Sequence, residues 1–165
     1  MMNLKDSKFT AFFHRALAVP LIGFLKLGLS PEKLALTIAF GIVLGIVPVI
    51  GVTTILCALA AFLFRLNMPA IQLINYFVAP LQLIFLIPFI RAGEFLFRDQ
   101  PLPLNVYQII GMIQTDVMGA VNFLWWTTMH AIVAWLVIGA PLLIILYIVF
   151  VPIVRRLVSR PIVAE

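Results

Sequence analysis

An uncharged stretch, residues 34–64, constrains the fold of this chain more than any other feature. As one straight helix it would be roughly 46 Å long at about 1.5 Å per residue, whereas the hydrocarbon core of a bilayer is only about 30 Å thick. Pro48 lies near its middle and removes a backbone donor, and Gly51 adds backbone freedom shortly afterwards. The stretch therefore predicts two half-helices joined at membrane depth, where protein or a water-lined cavity must satisfy the freed backbone groups.

Composition places the chain, as a single domain over residues 1–165, among membrane proteins. Of its residues 64% are hydrophobic and 10% are charged, against roughly 45–50% and about 25% in soluble domains. The formal net charge is +5, and the basic residues flank apolar segments. We therefore expect contact with the bilayer and its anionic lipid headgroups rather than with nucleic acid. The single cysteine, Cys57, excludes a multi-cysteine metal site, and no metal or cofactor is expected.

Two segments have the pattern of amphipathic helices that lie on the membrane surface. In residues 4–29, aromatic and aliphatic side chains fall at helical spacing on one side and basic side chains on another. In residues 105–117, Gln108, Gln114 and Asp116 form the polar side. We expect both segments to be interfacial helices.

The beginning of the first apolar helix is well marked. Ser30 suits the N-cap, Pro31 suits the first helical position, and Glu32 adds negative charge in the first turn. Further along, Gly41 and Gly45 form a pair of small residues one turn apart, a spacing that allows close helix packing. We expect this pair to pack against the other half-helix or against a later helix.

The second apolar segment, residues 66–90, is long enough to span a bilayer. Pro80 and Pro88 predict interruptions within it. It also contains three amides that should face the protein interior because buried amides need partners: Gln72, Asn75 and Gln82. These amides either hold helices together or line a substrate path.

Two charged residues end this segment. Arg91 and Glu94 share a face of a continuing helix and could pair. At the membrane edge the pair would be an ordinary ion pair. Beneath the interface it would mark a functional site, because charges inside a membrane tend to do so.

The third apolar segment, residues 120–154, exceeds one span of about 20 residues, and a basic tail, residues 155–165, follows it. Pro141 predicts another break, so either one long kinked helix or a hairpin fits. His130 either packs between helices or relays protons. Trp125, Trp126 and Trp135 suggest levels of the membrane interface.

Charge patterning predicts the topology. Basic residues both precede the first apolar segment and follow the last, which places both termini in the cytoplasm and requires an even number of crossings. That parity favours a pair of crossings in residues 120–154. Arg91 and Arg98 argue that the middle loop is also cytoplasmic. If Arg65 is cytoplasmic, the first two segments re-enter the membrane from one face; if not, they are kinked spans.

Several of these residues together resemble a known family. The Gly41-xxx-Gly45-xx-Pro48-xx-Gly51 run, Ser30-Pro31, Arg65-Leu66-Asn67-xx-Pro69, Pro80 and Arg91-xx-Glu94 are similar to the bacterial membrane family catalogued as domain of unknown function twenty sixty-two. The resemblance covers nearly the whole chain and implies a multi-pass inner-membrane protein of a bacterium. Some relatives are fused to glycosyltransferase-like domains, which implies a role in envelope sugar or lipid-carrier metabolism. The family pattern has Asn-Pro where this chain has Ala79-Pro80, which weakens any role for that position.

The expected fold is an all-α integral membrane protein with broken or re-entrant transmembrane helices and flanking interfacial helices. We expect it to handle or translocate an amphipathic or anionic, lipid-linked substrate. The residues expected to contact that substrate are Pro48, Gly51, Asn75, Gln82, Arg91 and Glu94. The alternative is a non-catalytic scaffold or assembly partner of an envelope enzyme, and a homo-oligomer fits either function. An enzyme is not expected, because the apolar segments contain no paired carboxylates, no metal-ligand spacing and no Ser/His/Asp set.

Overall fold

The structure, a computed structural model, describes residues 30–103 and 106–158, and this part of the chain is helical without strands. The predicted interfacial helix of residues 4–29 and most of the basic tail lie outside the described residues. The helices are α1 (Pro31–Gly45), α2 (Thr53–Leu63), α3 (Met68–Phe97), α4 (Val106–Thr115) and α5 (Val117–Val158). The segment predicted as a second interfacial helix is therefore helical as α4.

The start of α1 follows the predicted capping. The Ser30 hydroxyl accepts a hydrogen bond from the Lys33 N–H at 3.3 Å, Pro31 opens the helix, and Glu32 lies in its first turn. The apolar stretch then forms two helices rather than one, with residues 46–52 between α1 and α2 outside any helix. We call residues 46–52 the link.

The interruptions predicted at Pro80 and Pro88 are wrong, because α3 continues through both prolines. A proline inside a helix costs one hydrogen bond and some bending, about 3 kcal/mol or more. Ending the helix would instead free several N–H and C=O groups on an apolar surface, which costs more. The start of α3 is capped by Asn67, whose side chain accepts a hydrogen bond from the Ala70 N–H at 2.9 Å.

The hairpin favoured for residues 120–154 is also wrong, because α5 is a single helix of 42 residues that includes Pro141 and Pro152. The alternative of one long helix is correct. At about 1.5 Å per residue α5 is roughly 63 Å long, far more than a hydrocarbon core of about 30 Å. The preference for a hairpin came from the parity of crossings, which treated the first two apolar segments alike, whereas the first forms two helices and the second forms one.

Helices α1, α3 and α5 pack against one another and form the main core. Gly41 lies against Ile74 and Gly45 against Val78, so α1 and α3 run in the same direction. Arg155, near the end of α5, contacts Glu32 at the start of α1, so α5 runs in the opposite direction.

Helix α2 folds back beside α1 and also packs on α3, and α4 packs on α5. The rings of Phe40 in α1 and Phe64 at the end of α2 stack with centroids 4.8 Å apart. Buried small residues, Cys57, Ala60 and Ala61, allow this close return of the chain.

Within residues 30–103 and 106–158, two helices, α3 and α5, have the length and apolar composition needed to cross a membrane. Only 28% of the most apolar window of α3 and 11% of that of α5 is buried. Core helices of soluble proteins are mostly buried, so the exposed apolar surface of both helices favours a lipid environment.

Candidate functional site

The six residues predicted to contact a substrate fall into two groups in the structure. Pro48, Gly51, Asn75 and Gln82 lie in or beside the link between α1 and α2. Arg91 and Glu94 lie near the end of α3, where they contact Leu102 instead. We call the first group the link cluster and the second the α3-end cluster. They do not form one site.

Gln82 holds the link against α3. Its side chain is buried, with 7% exposed, and its Nε2 donates to the carbonyl oxygens of Val47 at 2.8 Å and Val49 at 3.1 Å. Pro48 lies between these two residues and has no N–H of its own, so the link cannot pair its carbonyl groups as a helix would. Gln82 thus supplies the donor that the interruption requires.

Trp135 performs the same task for the last turn of α1. Its indole N–H donates to the Val43 carbonyl oxygen at 3.1 Å, and its side chain is buried. Carbonyl groups in the last turn of a helix lack intrahelical donors. The sequence placed Trp135 at a membrane interface, but the structure places it in the core. Because the two residues are far apart in sequence, no local pattern reveals their contact.

A chain of amides joins α3 to the start of α2. Asn75 is 3% exposed, and its Nδ2 donates to Gln72 Oε1 at 3.4 Å. Gln72 Nε2 in turn donates to the Thr54 carbonyl oxygen at 2.9 Å. A Cβ atom on Gly45 would lie 3.3 Å from Asn75 Oδ1 and 3.1 Å from Val78 Cγ1, so Gly45 allows the close approach of α1 to this chain.

The link exposes a helix N-terminus. Pro48 is buried, whereas Gly51 is exposed and adopts a φ of +88° that favours glycine. Helix α2 follows with Val52 at the N-cap and no side-chain hydrogen bond to its first turn. The first N–H groups of a helix have no intrahelical partners. The start of α2 therefore carries a partial positive charge, and it lies beside the exposed Gly51.

The α3-end cluster holds the segment that follows α3. Arg91 Nη1 donates to Glu94 Oε2 at 2.7 Å, which confirms the predicted pair. Glu94 Oε1 accepts from the Leu102 N–H at 2.6 Å, and Arg91 Nη2 donates to the Leu102 carbonyl oxygen at 3.2 Å. Both backbone groups of Leu102 are thereby bound. We call residues 98–103 the strap.

His130 of α5 joins the same cluster. Its Nδ1 contacts the carboxylate of Asp99 in the strap, and its ring stacks on Phe97 with centroids 4.0 Å apart. A Cβ atom on Gly93 would lie 2.6 Å from the His130 carbonyl carbon, so the two backbones touch here. The sequence pattern is compatible with either helix packing or proton relay at His130 and indicates no role for Gly93 or Asp99.

Open grooves flank the strap. One of about 640 Å³ is lined by Arg91, Arg98 and Asp99 among others. Another of about 460 Å³ is lined by Asp99, His130, Trp126 and neighbouring residues of α5. Within residues 30–103 and 106–158, no three His, Cys, Asp or Glu side chains are placed to hold a metal ion.

Comparison with known proteins gives one match. No curated protein and no solved structure matches the chain. The model of a family described as "Uncharacterized protein conserved in bacteria (DUF2062)" matches residues 14–162, which is most of the chain and includes both polar clusters. The chain therefore belongs to the bacterial DUF2062 family.

Proposed function

We propose that α3 and α5 cross a bacterial inner membrane side by side in opposite directions. Residues 68–90 and 131–154 contain no Asp, Glu, Lys or Arg and each spans roughly 35 Å at about 1.5 Å per residue. That length fits a hydrocarbon core of about 30 Å. The contact between Gly93 and His130 lies just beyond both apolar runs and marks one membrane face.

In this arrangement α1 and α2 form a re-entrant hairpin. Helix α1 has 15 residues, about 22 Å, which is too short to cross. It begins beside Arg155 at the end of α5, and α2 returns toward the start of α3. The hairpin thus enters and leaves by one face, and its tip, the link, lies beside Gln82, near the middle of α3.

The basic residues then assign the faces. Among the described residues, Lys33, Arg65, Arg155 and Arg156 lie at the face where the hairpin enters, and Arg91 and Arg98 lie at the other. The positive-inside rule makes the hairpin face cytoplasmic. The strap then lies on the opposite face, in contrast to the expectation from sequence. Arg91 is a weak topogenic charge because it is bound to Glu94.

We propose that this hairpin handles an amphipathic substrate with an anionic, lipid-linked headgroup. The supporting observation is the uncapped start of α2 beside the exposed Gly51. Half-helix N-termini at mid-membrane depth bind anionic groups in transporters. Arg91 and Glu94 have no part in this site, because they bind the strap.

Charge placed at the α2 N-cap tests this function. Val52→Asp would cap α2 with a carboxylate of its own and compete with an anionic headgroup, whereas Val52→Asn would cap it without charge. Purified protein in liposomes is expected to move fluorescent phosphatidylglycerol faster than phosphatidylcholine. Val52→Asp should abolish this difference and Val52→Asn should retain it. Wild-type protein that neither binds nor moves an anionic lipid would refute the proposal.

Thiol labelling tests the topology separately. In a Cys57→Ala background, single cysteines at Leu66 and Gln100 are treated in intact cells with a membrane-impermeant maleimide. The hairpin arrangement predicts labelling from outside at Gln100 and none at Leu66. Labelling from outside at Leu66 would mean that the first two apolar segments each cross the membrane, and it would refute the re-entrant hairpin.

A scaffold for an envelope enzyme is the second candidate, and the satisfied amides favour it. Gln72 and Gln82 both donate to main-chain carbonyl groups, so they stabilise the hairpin and need not line a path. This function predicts a partner that co-purifies stably with the wild-type protein and equally with the Val52→Asp variant. Loss of cellular function in Val52→Asp with normal protein level and normal partner would exclude it.

A further inference from the structure

Two helices of this protein end on an arginine in the left-handed region. Arg65 follows α2 with a φ of 52°, and Arg98 follows α3 with a φ of 56°. The N–H groups of Leu66 and Asp99 close the two helix ends by bonding to carbonyl groups of Ala61 and Glu94. Glycine usually takes the left-handed position because a Cβ atom is strained there. A strained residue of this kind is a pointer to function.

Arg98 opens on the groove of about 640 Å³ beside the strap. The other arginine of that groove, Arg91, is already bound to Glu94 and Leu102. Arg98 is exposed and makes no ion pair or side-chain hydrogen bond with any residue in the described part of the chain. Its guanidinium is thus available for a phosphate, which it matches in geometry.

Asp99 belongs to both grooves and provides the opposite charge. Its side chain is 42% exposed although it contacts His130. In the second groove the indole of Trp126 is also exposed. A carboxylate accepts hydrogen bonds from a primary ammonium group, whereas the quaternary ammonium of choline has no N–H to donate. An anion subsite and a cation subsite therefore lie next to each other.

We propose that the strap binds the zwitterionic headgroup of an aminophospholipid of the phosphoethanolamine type. Arg98 binds the phosphate, and the ammonium group lies between Asp99 and Trp126. The exposed side chains of Phe95 and Leu96 lie between this headgroup and the exposed Phe85 and Ile87 in the proposed span of α3, along which the acyl chains run. A purely anionic headgroup would be repelled by the Asp99 carboxylate, and a purely cationic headgroup would be repelled by the Arg98 guanidinium. The proposal rests on α3 and α5 crossing the bilayer but not on anion binding by the hairpin, so either site can fail alone.

Short-chain lipids test the proposal with the full chain in detergent. The titrations use the Val52→Asp background, in which the anion site proposed at the start of α2 is blocked, so that phosphatidylglycerol bound by the hairpin does not mask the preference of the strap. Dihexanoyl-phosphatidylethanolamine, -phosphatidylcholine and -phosphatidylglycerol are titrated by calorimetry, together with glycerophosphoethanolamine, which has no acyl chains. The ethanolamine lipid is expected to bind about tenfold more tightly than the other two lipids. Equal affinities for the three lipids would overturn the proposal. Glycerophosphoethanolamine binding as tightly as the ethanolamine lipid would overturn the assignment to a membrane lipid.

The two left-handed arginines provide matched variants. Arg98→Gly removes the guanidinium and relieves backbone strain. It should therefore keep or raise the unfolding temperature and weaken binding of the ethanolamine lipid about tenfold. Arg65→Gly relieves the same strain at the other face and should leave binding unchanged. Asp99→Asn should remove the preference over phosphatidylglycerol. An unchanged affinity for the ethanolamine lipid in Arg98→Gly, or equal losses of that affinity in both glycine variants, would refute the site.

Discussion

At the scale of single residues, several polar side chains of the apolar helices form hydrogen bonds to the backbone of other helices or of the link. Gln82, Trp135 and Gln72 each donate to a main-chain carbonyl group in or next to the link. An apolar surrounding makes an unpaired carbonyl group costly, so each of these donors has a structural value that its local sequence does not show. Two substitutions test the contacts of single residues, one at Gln82 and one at Gly93.

Gln82→Met keeps the side-chain volume and removes the donor. The Val49 carbonyl group then loses its donor from Gln82, and the Val47 carbonyl group keeps only the Val49 N–H at 2.8 Å. The free energy of unfolding should therefore fall by about 2 kcal/mol. Gln72→Met is the matched control, because the carbonyl group it binds belongs to the exposed Thr54, and it should cost less than about 1 kcal/mol. Titration with SDS in mixed micelles measures both. Equal losses of unfolding free energy in the two variants would show that the burial of the accepting carbonyl groups makes no difference.

Gly93→Ala places a methyl group against rigid backbone. The new Cβ atom would lie 2.6 Å from the His130 carbonyl carbon, so α3 and α5 must separate, at a cost of about 1–3 kcal/mol. Gly111→Ala meets nothing within 4 Å and should be neutral or stabilise α4 by up to about 1 kcal/mol. Thermal unfolding of both variants in detergent provides the comparison. A harmless Gly93→Ala would contradict the close contact.

At the scale of helices, neighbouring elements decide where a helix ends. Pro80 and Pro141 lie inside continuous helices, whereas the chain turns at Pro48. The difference is that Gly51 takes a positive φ nearby and that α3 and α5 supply donors for the freed carbonyl groups. Proline alone therefore does not determine a break in this protein.

Trp135→Phe tests the capping of α1 by α5. The variant keeps an aromatic ring and loses the donor to the Val43 carbonyl oxygen, so the free energy of unfolding should fall by about 1–2 kcal/mol. Trp125→Phe is the control because that indole is 60% exposed, and it should change stability little. Hydrogen exchange should also rise in the last turn of α1 for Trp135→Phe alone. An unchanged exchange rate there would argue against this cap.

At the scale of the whole molecule, contacts between distant parts of the chain close the bundle at both ends. Glu32 and Arg155 meet at one end at 2.7 Å, and Gly93 and the strap meet His130 at the other. These contacts fix α5 against α1 and α3. They also place the apolar runs of α3 and α5 side by side, which supports the proposed crossing.

The pair of Glu32 and Arg155 predicts a pH dependence. A hydrogen bond to backbone and then the Arg155 guanidinium hold the pKa of Glu32 below its ordinary value of 4.5. A carboxyl group with a lowered folded-state pKa adds stability above its unfolded-state pKa and loses it as the pH falls through the folded-state value. The unfolding temperature should therefore fall below about pH 4.5, and less steeply in Glu32→Gln. Identical profiles from pH 7 to pH 3 would contradict the pair's contribution.

The sequence by itself determined the helical class, the membrane-like composition, the family and the local features of helix ends. Ser30 and Pro31 start α1, and Arg91 pairs with Glu94, because capping and the spacing of residues on one helix face act over a single turn. These interactions require no knowledge of the rest of the fold.

Only the tertiary structure decided which prolines interrupt a helix, where the buried amides point and which polar residues meet. Gln82 reaches the link, Trp135 reaches Val43, and His130 reaches Asp99 across long separations in sequence. Such contacts depend on how helices pack, and periodicity within one helix carries no information on its partner. The six predicted site residues therefore separate into two clusters, because Arg91 lies nine residues after Gln82 along α3, a rise of about 13 Å.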